Sequence, residues 1–244
     1  MIVGLGETGL SYARFLAARG EDFVVADDNP FEANVVAVER INPGAIIGNI
    51  SVDCLLQADE IFISPGVPLG HEAVSMARAS GKILHGDVQL FGELAAAPII
   101  GITGTNGKST VSSFVFELIR DQGKNVSLAG NIGRPCLDVL AEEVDFHVLE
   151  ISSYQLELAT AMNTEISVVL NLVPDHMDRY GSEQDYYRTK LGLYDNARRA
   201  VTNRSMSDDL SVVNSAATFG ADMVPGENNF GITVQDGRTW LVQG

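Results

Sequence analysis

The sequence has few cysteines, few basic side chains and no long apolar run, and each shortage excludes a class of protein. Its two cysteines, Cys54 and Cys136, lack the spacing of a metal site and favour a reducing, cytoplasmic compartment over a disulfide scaffold. Lys and Arg number 16 against 32 Asp and Glu, and the net charge of −16 disfavours nucleic acids and anionic membranes as partners. No apolar run approaches the roughly 20 residues that span a bilayer. We therefore expect small-molecule substrates, with neither nucleic acid nor a membrane as a partner.

Apolar segments with the length of β-strands alternate along the chain with segments of helical periodicity. Because these strands are apolar almost throughout, they predict parallel sheets covered by helices on both faces, which is an α/β fold. The predicted strands are residues 1–5, 23–26, 61–64, 99–103, 126–129, 146–150, 167–170 and 200–203. The predicted helices are residues 8–19, 72–79, 109–122 and 183–197. Asp236-Gly237, between short β-patterns, predicts a final hairpin.

A break in this alternation near residues 93–98 predicts a domain boundary. The expected units are a Rossmann-like domain of residues 1–92 and a P-loop-type α/β domain of residues 93–244. Only three residues precede the first glycine motif, although a strand usually has about five or six, and the chain stops directly after the predicted hairpin. We therefore expect a piece of a longer enzyme, with the second domain incomplete.

The first glycine-rich turn follows a predicted strand and opens a predicted helix. Gly4, Gly6 and Gly9 match G-x-G-x-x-G, in which glycines permit a tight turn and the helix N-terminus offers free N–H groups to a phosphate. Asp27 ends the next strand, where dinucleotide-binding proteins place an acid that binds a ribose. By itself the pattern indicates a nucleotide site of the NAD type, or else only close packing of a helix on a strand.

A second glycine-rich turn follows another apolar strand. It comprises Gly104, Thr105, Asn106, Gly107, Lys108, Ser109 and Thr110. The full pattern G-x-x-x-x-G-K-[ST] fails because Ile102 occupies the place of its first glycine, but the end that binds phosphate is present. There Gly107 lets backbone amides point at phosphate, Lys108 reaches the β- and γ-phosphates, and the hydroxyl of Ser109 or Thr110 ligates Mg²⁺. Lys108 is one of four lysines in the chain, so a phosphate site is favoured over a surface-loop lysine.

Polar residues with metal-binding chemistry follow two further strands. Glu150 ends a predicted strand, at the sheet edge where ligands collect in α/β folds, and an acid there either holds Mg²⁺ or faces solvent. Asp175 and His176 follow the next strand, and His176 is either a ligand of a metal or phosphate or half of a surface pair. Lys190 lies on a predicted helix, where the residues alone indicate an ordinary solvated lysine.

Two phosphate-binding turns in one chain suggest a reaction that uses ATP together with a second, nucleotide-bearing substrate. A nicotinamide-dependent dehydrogenase would need only the first turn, and a P-loop switch or other nucleotide-binding module would need only the second. The sequence shows neither a Ser-His-Asp nor a Cys-His pattern that would indicate a nucleophilic side chain.

Several strings carry a resemblance to a known family. They are GLGETGLS, SPGV, GDVQLF, ITGTNGKST, GNIG, LEISSYQLE, DHMDRYG and YYRTKLGLYDNA. Together they resemble the Mur ligases, ATP-dependent enzymes that build peptidoglycan precursors for the cell wall and so support cell shape and division. Within that family the chain is most similar to the members that add D-glutamate to UDP-N-acetylmuramoyl-L-alanine.

The resemblance implies a three-domain enzyme with an N-terminal domain for the uridine nucleotide, a central ATPase domain and a C-terminal domain that contacts the amino acid. This chain would contain the first domain, much of the second and none of the third, so we expect a monomer that binds substrate without catalysing ligation. The implied reaction is attack of the substrate carboxylate on ATP, which forms an acyl phosphate that the amine of D-glutamate then displaces.

The resemblance also implies roles for single residues. Lys108 and the turn around it would hold the ATP phosphates, and Lys108, His176 and Lys190 would act in catalysis. Two Mg²⁺ ions are implied, and their expected ligands are Ser109, Thr110, Glu150, His176 and Lys190, the last after carbamylation by CO₂. The residues expected at the uridine diphosphate are Glu7, Thr8, Asp27 and Gly66, and those expected at the muramoyl substrate are Asn131, Ser152 and His176.

One position departs from the family pattern. After the acid that ends the second strand, members often carry Thr-Arg, but this sequence has Asp28-Asn29, so an arginine contact to the diphosphate is not expected here. The alternatives are a sibling Mur ligase that adds L-alanine or diaminopimelate, folylpolyglutamate synthetase, which shares the central-domain chemistry, and the NAD-dependent dehydrogenase.

Overall fold

Two sheets of mostly parallel strands, joined by one helix, organise the chain. The computed structural model describes residues 1–159, 162–209, 216–222, 224, 226–227 and 229–244. In these residues strands and helices alternate as the apolar pattern predicts, and the α/β fold class is confirmed. None of the described helices is long and apolar enough to cross a membrane.

The first sheet has five strands, and all of them are parallel. They are β1 (Ile2–Val3), β2 (Val25–Ala26), β3 (Ile47–Gly48), β4 (Ile61–Ile63) and β5 (Leu84–His85), in the order β3-β2-β1-β4-β5. The connecting helices are α1 (Glu7–Ala18), α2 (Glu32–Ile41), α3 (Val52–Gln57) and α4 (Glu72–Ala79). Because β2 and β4 lie on opposite sides of β1, a crevice opens at the carboxyl ends of β1 and β4, the usual ligand position in such sheets.

Helix α5 (Asp87–Leu94) leads to a second sheet of eight strands. They are β6 (Ile99–Thr103), β7 (Val126–Gly130), β8 (Phe146–Glu150), β9 (Thr164–Val169), β10 (Ala197–Asn203), β11 (Ala216–Phe219), β12 (Asn229–Gln235) and β13 (Arg238–Gln243). Their order is β13-β12-β11-β10-β9-β6-β8-β7, and among the described strand pairs only β12 and β13 are antiparallel, as the predicted hairpin requires. The helices of this part are α6 (Lys108–Asp121), α7 (Ser153–Leu156) and α8 (Glu183–Leu191).

The predicted helix over residues 183–197 is wrong at its end. Helix α8 ends at Leu191, a 3₁₀ turn (Gly192–Tyr194) follows, and Ala197 is already the first residue of β10. The buried Tyr194 hydroxyl accepts the N–H of Val169 at 3.1 Å, which fixes the turn against β9. The helix therefore ends several residues before its sequence pattern ends, because tertiary packing overrides the local helical preference.

The other predicted strands and helices are present, with their ends shifted by a few residues. The sequence analysis does not predict helices α2, α3, α5 and α7 or strands β3, β5 and β11. Strands β3 and β5 have two residues each and helices α3 and α7 six and four, which is too short for a periodic pattern to show. The first sheet ends at His85 and the second begins at Ile99. The domain boundary between residues 92 and 93 stays a prediction.

Helix α1 packs against both halves of the chain. Leu10 belongs to the same buried cluster as Leu137 and Met162, which lie beyond the first sheet in the sequence. The Arg14 side chain adds an ion pair, in which Nε donates to Asp138 Oδ1 at 3.0 Å. Apolar burial and this ion pair hold the two sheets together, so the crevice of the first sheet faces the second.

The third glycine of the first turn is required by packing, whereas the second is not. A Cβ at Gly9 would lie 2.1 Å from the Gly4 carbonyl oxygen, but a Cβ at Gly6 would meet nothing within 4 Å. We expect Gly9→Ala to lower the free energy of unfolding by about 1–3 kcal/mol, because α1 must move away from β1. Gly6→Ala, at a position with φ −86°, should cost less than about 1 kcal/mol. Urea unfolding measures both changes, and an unchanged stability of Gly9→Ala would contradict the close packing.

Candidate functional site

A cleft of about 570 Å³ opens between the carboxyl ends of the two sheets. Its walls are the turn after β1, the loop after β4, the turn after β7 and the start of α7. The lining includes six residues that the sequence assigns to substrate: Glu7, Thr8, Asp27, Gly66, Asn131 and Ser152. The fold therefore brings residues from both halves of the chain to one cavity.

The N-terminus of helix α1 borders this cleft and has no side-chain cap. The helix begins at Glu7, after an extended Gly6, and no side chain of the described residues caps its first N–H groups. Ser64 Oγ donates to the Gly4 carbonyl at 2.7 Å, which holds the first glycine turn against the loop after β4. Free N–H groups at the positive end of a helix dipole favour an anion such as a phosphate.

Two neighbouring acids shape the rim of the first turn. Asp27 accepts the N–H of Leu5 at 2.6 Å with one oxygen and the N–H of Asn29 at 2.8 Å with the other. Asp28 accepts the N–H of Ile50 at 2.8 Å. Both carboxylates thus fix backbone N–H groups of neighbouring loops, and Asp27 also lines the cleft. Each Asp27 oxygen binds one amide and keeps a further acceptor site, so the acid can fix the turn and still accept a ligand hydroxyl.

The second glycine turn is held by the loop after β9. Asn171 accepts the N–H of Asn106 at 2.8 Å through Oδ1 and donates to the Asn106 carbonyl at 2.9 Å through Nδ2. Gly104 (φ 154°) and Gly107 (φ 82°) adopt backbone conformations that L side chains rarely take. Helix α6 begins directly after Gly107 without a side-chain cap, so a second set of N-terminal amides is available to an anion.

Two lysines converge on this turn. Lys108 Nζ donates to the carbonyls of Gly104 and Thr105, each at 3.0 Å. Lys190 Nζ donates to the same Gly104 carbonyl at 3.0 Å and lies 3.4 Å from Thr103 Oγ1. Both ammonium groups therefore share one acceptor, although their residues are far apart in the sequence.

Lys190 is buried, so the interpretation of it as a solvated helix lysine is wrong. Its residue is 1% exposed, and α8 directs it at the second glycine turn. Burial first, and then the positive charge of Lys108, lower the pKa of Lys190 to about 7, while Asp175 acts in the opposite direction. Near neutral pH a large fraction of this side chain is thus a neutral amine.

Glu150 is buried as well, which excludes the interpretation of a solvent-facing acid. The residue is 1% exposed, and its Oε1 accepts a hydrogen bond from Asn131 Nδ2 at 2.8 Å. Its Oε2 has no hydrogen-bond partner among the described residues. A buried carboxylate oxygen without a donor fits a site that receives a cation.

The other expected metal ligands supply only part of a coordination shell. Ser109 and Thr110 are exposed on the first turn of α6, beside Lys108. The described residues contain no group of three or more His, Cys, Asp or Glu side chains arranged to hold a metal. This arrangement fits Mg²⁺, which usually binds one or two carboxylates together with water and substrate phosphates.

His176 lies on the loop after β9 in a left-handed conformation (φ 57°). Its side chain is 44% exposed, and its Nε2 is 3.6 Å from Asp175 Oδ2. Its ring lies 4.9 Å from the ring of Tyr154, which lines the cleft. The His176 ring also lies 6.4 Å from the ring of Tyr186, which Lys190 Nζ faces at 5.0 Å, so His176 stands between the wall of the cleft and Lys190.

Sequence reasoning missed four residues that hold the site. Asn171 and Tyr186 contact the second glycine turn, and Tyr186 does so through its hydroxyl, 3.1 Å from Thr105 Oγ1. Gln155 holds Ser152, and Arg179 joins the two halves of the chain beside the cleft. All four lie in strings that carry the family resemblance or directly after a predicted strand, but their partners are distant in sequence and no local spacing reveals them.

Comparisons with known proteins agree with this geometry. A family model of the Mur ligase MurD-like N-terminal domain matches residues 1–86, and a model of the Mur ligase middle domain matches residues 102–224. The UDP-N-acetylmuramoylalanine–D-glutamate ligase of Pseudomonas syringae pv. tomato is 39% identical over 246 aligned residues, which cover 99% of this chain. The alignment covers 55% of that relative, so this chain spans about half the length of the curated relatives it matches.

Solved structures with low sequence identity share the fold. A UDP-N-acetylmuramate:L-alanyl-γ-D-glutamyl-meso-diaminopimelate ligase from Neisseria meningitides superposes with a TM-score of 0.60 at 17% identity, covering 99% of this chain and 83% of that one. A MurF ligase from Thermotoga maritima, solved in complex with ADP, gives a TM-score of 0.52 at 15% identity, covering 91% and 55%. Both domain models match in order and the fold is shared, and the chain belongs to the Mur ligase family.

Proposed function

We propose that the chain provides the uridine-nucleotide and ATP sites of a cytoplasmic ligase that adds D-glutamate to UDP-N-acetylmuramoyl-L-alanine. The observation that carries this proposal is the pair of uncapped helix N-termini, of α1 and α6, which follow the two glycine turns at the carboxyl edges of adjoining sheets. Identity of 39% to a D-glutamate-adding relative supports the choice of amino acid. A dehydrogenase would leave the α6 turn and its two lysines without a role.

The cleft between the sheets is the proposed site of the muramoyl nucleotide. In this proposal Glu7, Thr8 and Gly66 border the uridine diphosphate, with Asp27 shaping the turn beside it. Ser152 reaches the muramoyl end, and its orientation is fixed because its Oγ donates to Gln155 Oε1 at 3.2 Å. The cavity is lined by residues of this chain on both sides, so we expect the chain to bind this substrate by itself.

Asn131 links this cleft to the proposed phosphate-transfer site. Its side chain lines the cleft while its Nδ2 donates to buried Glu150 at 2.8 Å. Its backbone N–H also donates to the Glu150 carbonyl at 2.8 Å. A substrate carboxylate held near Asn131 would therefore lie close to the acid that we propose for the first metal.

The turn before α6 is the proposed ATP site, with Gly104, Thr105, Asn106 and Gly107 as its backbone cradle. Lys108 donates to two neutral carbonyls. A phosphate oxygen would make a stronger, charge-assisted bond with this ammonium group, so we infer that ATP draws Lys108 away from the turn. The lysine would then reduce the repulsion between the two anionic substrates.

We propose Glu150, Ser109 and Thr110 as protein ligands of one Mg²⁺, with His176 and carbamylated Lys190 serving a second. When bound, the ions supply positive charge between the phosphates and the substrate carboxylate. The neutral amine of Lys190 adds to CO₂, forming an N–C bond and releasing one proton, and a buried cation site becomes a carboxylate-like one. The low pKa of Lys190 and its burial favour this reaction over protonation.

The first test is calorimetric titration of the chain with UDP-N-acetylmuramoyl-L-alanine, with NADH as the control ligand. We expect saturable binding of the uridine nucleotide and none of NADH, because both domain models that match the chain are those of Mur ligases and the cleft extends to Asn131 and Ser152 of the second half. Binding of NADH alone would contradict the proposed ligase and support the dehydrogenase.

The ATP site is tested by Lys108→Met, with Lys124→Met as the matched control. Lys124 is exposed and lies 3.7 Å from Asp145, away from the glycine turns. We expect Lys108→Met to weaken binding of Mg-ATP by about tenfold or more, because a charge-assisted contact is lost, and Lys124→Met to change it by less than about twofold. Equal affinities of the two variants, measured by calorimetry, would exclude Lys108 from the nucleotide site.

Carbamylation is tested by ¹³C NMR of the chain in ¹³C-bicarbonate. We expect a carbamate carbon resonance that Lys190→Met abolishes and Lys124→Met retains. The signal should weaken as the pH falls below about 7, because the Lys190 amine then takes up a proton. A signal that persists in Lys190→Met, or none at pH 8 in the unsubstituted chain, would overturn the assignment.

A further inference from the structure

Arg179 joins three walls of the site, although it does not itself line the cleft in the described residues. Its guanidinium donates to both oxygens of Glu157, at 2.9 and 2.7 Å, and each of these side chains is 12% exposed. It also donates to the carbonyls of Pro65, at 2.9 Å, and Val67, at 3.5 Å, in the loop after β4. Its charged carbon lies 4.1 Å from the centre of the Tyr154 ring.

These contacts determine the direction of one N–H group. The Pro65 carbonyl points at Arg179, and the peptide bond from Pro65 to Gly66 is trans, since the described chain has no cis peptide. In a planar trans peptide the C=O and N–H point in opposite directions. The Gly66 N–H therefore points away from Arg179.

The Gly66 N–H is available to a ligand. Gly66 lines the cleft, and its N–H donates no hydrogen bond to any described residue. The uncapped N-terminus of α1, which begins at Glu7, lines the same cleft, and Ser64 holds its turn against this loop. An anion held at that helix end would find a further donor in the neighbouring loop.

We propose that Arg179 is a positioning residue that turns the Gly66 N–H towards the diphosphate of the uridine substrate. This proposal rests on the proposed function of the cleft. Arginine suits the task because its planar group carries several donors in a fixed geometry and holds a carboxylate and two carbonyls at once. Lysine, with one compact ammonium group, cannot reproduce that set of contacts.

The same side chain connects the cleft to the loop of His176. Arg179 follows that histidine by three residues, and both side chains contact the Tyr154 ring, His176 with a ring separation of 4.9 Å. The Arg179 backbone N–H also donates to the His176 carbonyl at 2.9 Å. Movement of the His176 loop would therefore move the Pro65 carbonyl, and with it the Gly66 amide.

The experiment compares Arg179→Met and Arg179→Lys with Arg14→Met. Arg14 also bridges the two halves of the chain, through Asp138, but it contacts neither the cleft lining nor the glycine turns. Calorimetry measures the affinity of each variant for UDP-N-acetylmuramoyl-L-alanine and, separately, for Mg-ATP. A thermal melt without ligand shows how much each substitution changes stability.

We expect Arg179→Met to weaken binding of the uridine nucleotide by about tenfold or more, because one charge-assisted hydrogen bond is misdirected. Arg179→Lys should weaken it by at least about threefold, and Arg14→Met by less than about twofold. Binding of Mg-ATP should stay within about twofold in all three variants, because the Arg179 side chain forms no described contact with the α6 turn and reaches the proposed second metal only through the His176 loop. If Arg179 had a purely structural role, its substitution would instead weaken binding of both ligands in proportion to the loss of stability.

Uridine-nucleotide affinity of Arg179→Lys equal to that of the unsubstituted chain would overturn the inference and leave the proposed function intact. Absence of binding by the unsubstituted chain would overturn the proposed function and this inference with it. If Arg179→Met fails to fold, Arg179→Lys and Glu157→Gln test the positioning role instead. Glu157→Gln keeps the shape of the side chain but removes the negative charge that holds the guanidinium. Glu157→Gln should then weaken binding of the uridine nucleotide but not binding of Mg-ATP. Equal weakening of both affinities would contradict the positioning role.

Discussion

Two lysine side chains share one carbonyl oxygen in this molecule, and the proposed phosphate site is arranged around that constraint. Lys108 and Lys190 each donate to the Gly104 carbonyl at 3.0 Å. Two like charges this close repel each other, and burial adds a desolvation cost that falls mainly on Lys190, whose pKa drops to about 7. The turn therefore carries, beside Lys108, an amine that can lose its proton near neutral pH. In a chain with a net charge of −16, this local arrangement is what makes an anion site possible.

A buried polar connection between the two sheets gives the cleft its shape. Gln155 Nε2 donates to Asp87 Oδ2 at 2.8 Å, and its Oε1 accepts the N–H of Ser152 at 3.1 Å. Asp87 begins the helix that joins the sheets and is 2% exposed, and burial raises the pKa of its carboxyl. The position of Ser152 in the cleft thus depends on α5, which belongs to neither sheet. The wall of the cleft and the packing of the two sheets cannot be changed independently.

The sequence predicts those parts of the site whose signal is local. Both glycine turns, the strand that ends at Glu150 and the hairpin around Asp236-Gly237 follow from patterns within a few residues. The contacts of Asn171 with Asn106 span 65 positions, and those of Arg179 with Pro65 span 114, so no spacing rule detects them. The burial of Lys190 is equally invisible in the sequence, because α8 is largely polar. The side chain points inward only because the end of this helix packs against the second glycine turn. Local patterns identify where ligands collect, whereas the orientation of each donor depends on tertiary contacts.

The same electrostatics explain how a site with so few preformed metal ligands could still bind two divalent cations. A carbamate at Lys190 would replace repulsion of Lys108 by attraction, but a buried anion is itself costly unless a cation accompanies it. Glu150 ends β8, the strand beside β6, and its Oε2 has no partner among the described residues. This buried carboxylate would also be stabilised by a cation. If CO₂ uptake at Lys190 strengthens metal binding, thermodynamic linkage requires that metal binding strengthen CO₂ uptake by the same factor. In the proposed site the metal ligands would stay incomplete until substrate phosphates arrive, because CO₂ and the nucleotide would supply the missing negative charge. A cluster of carboxylates would instead repel both substrates.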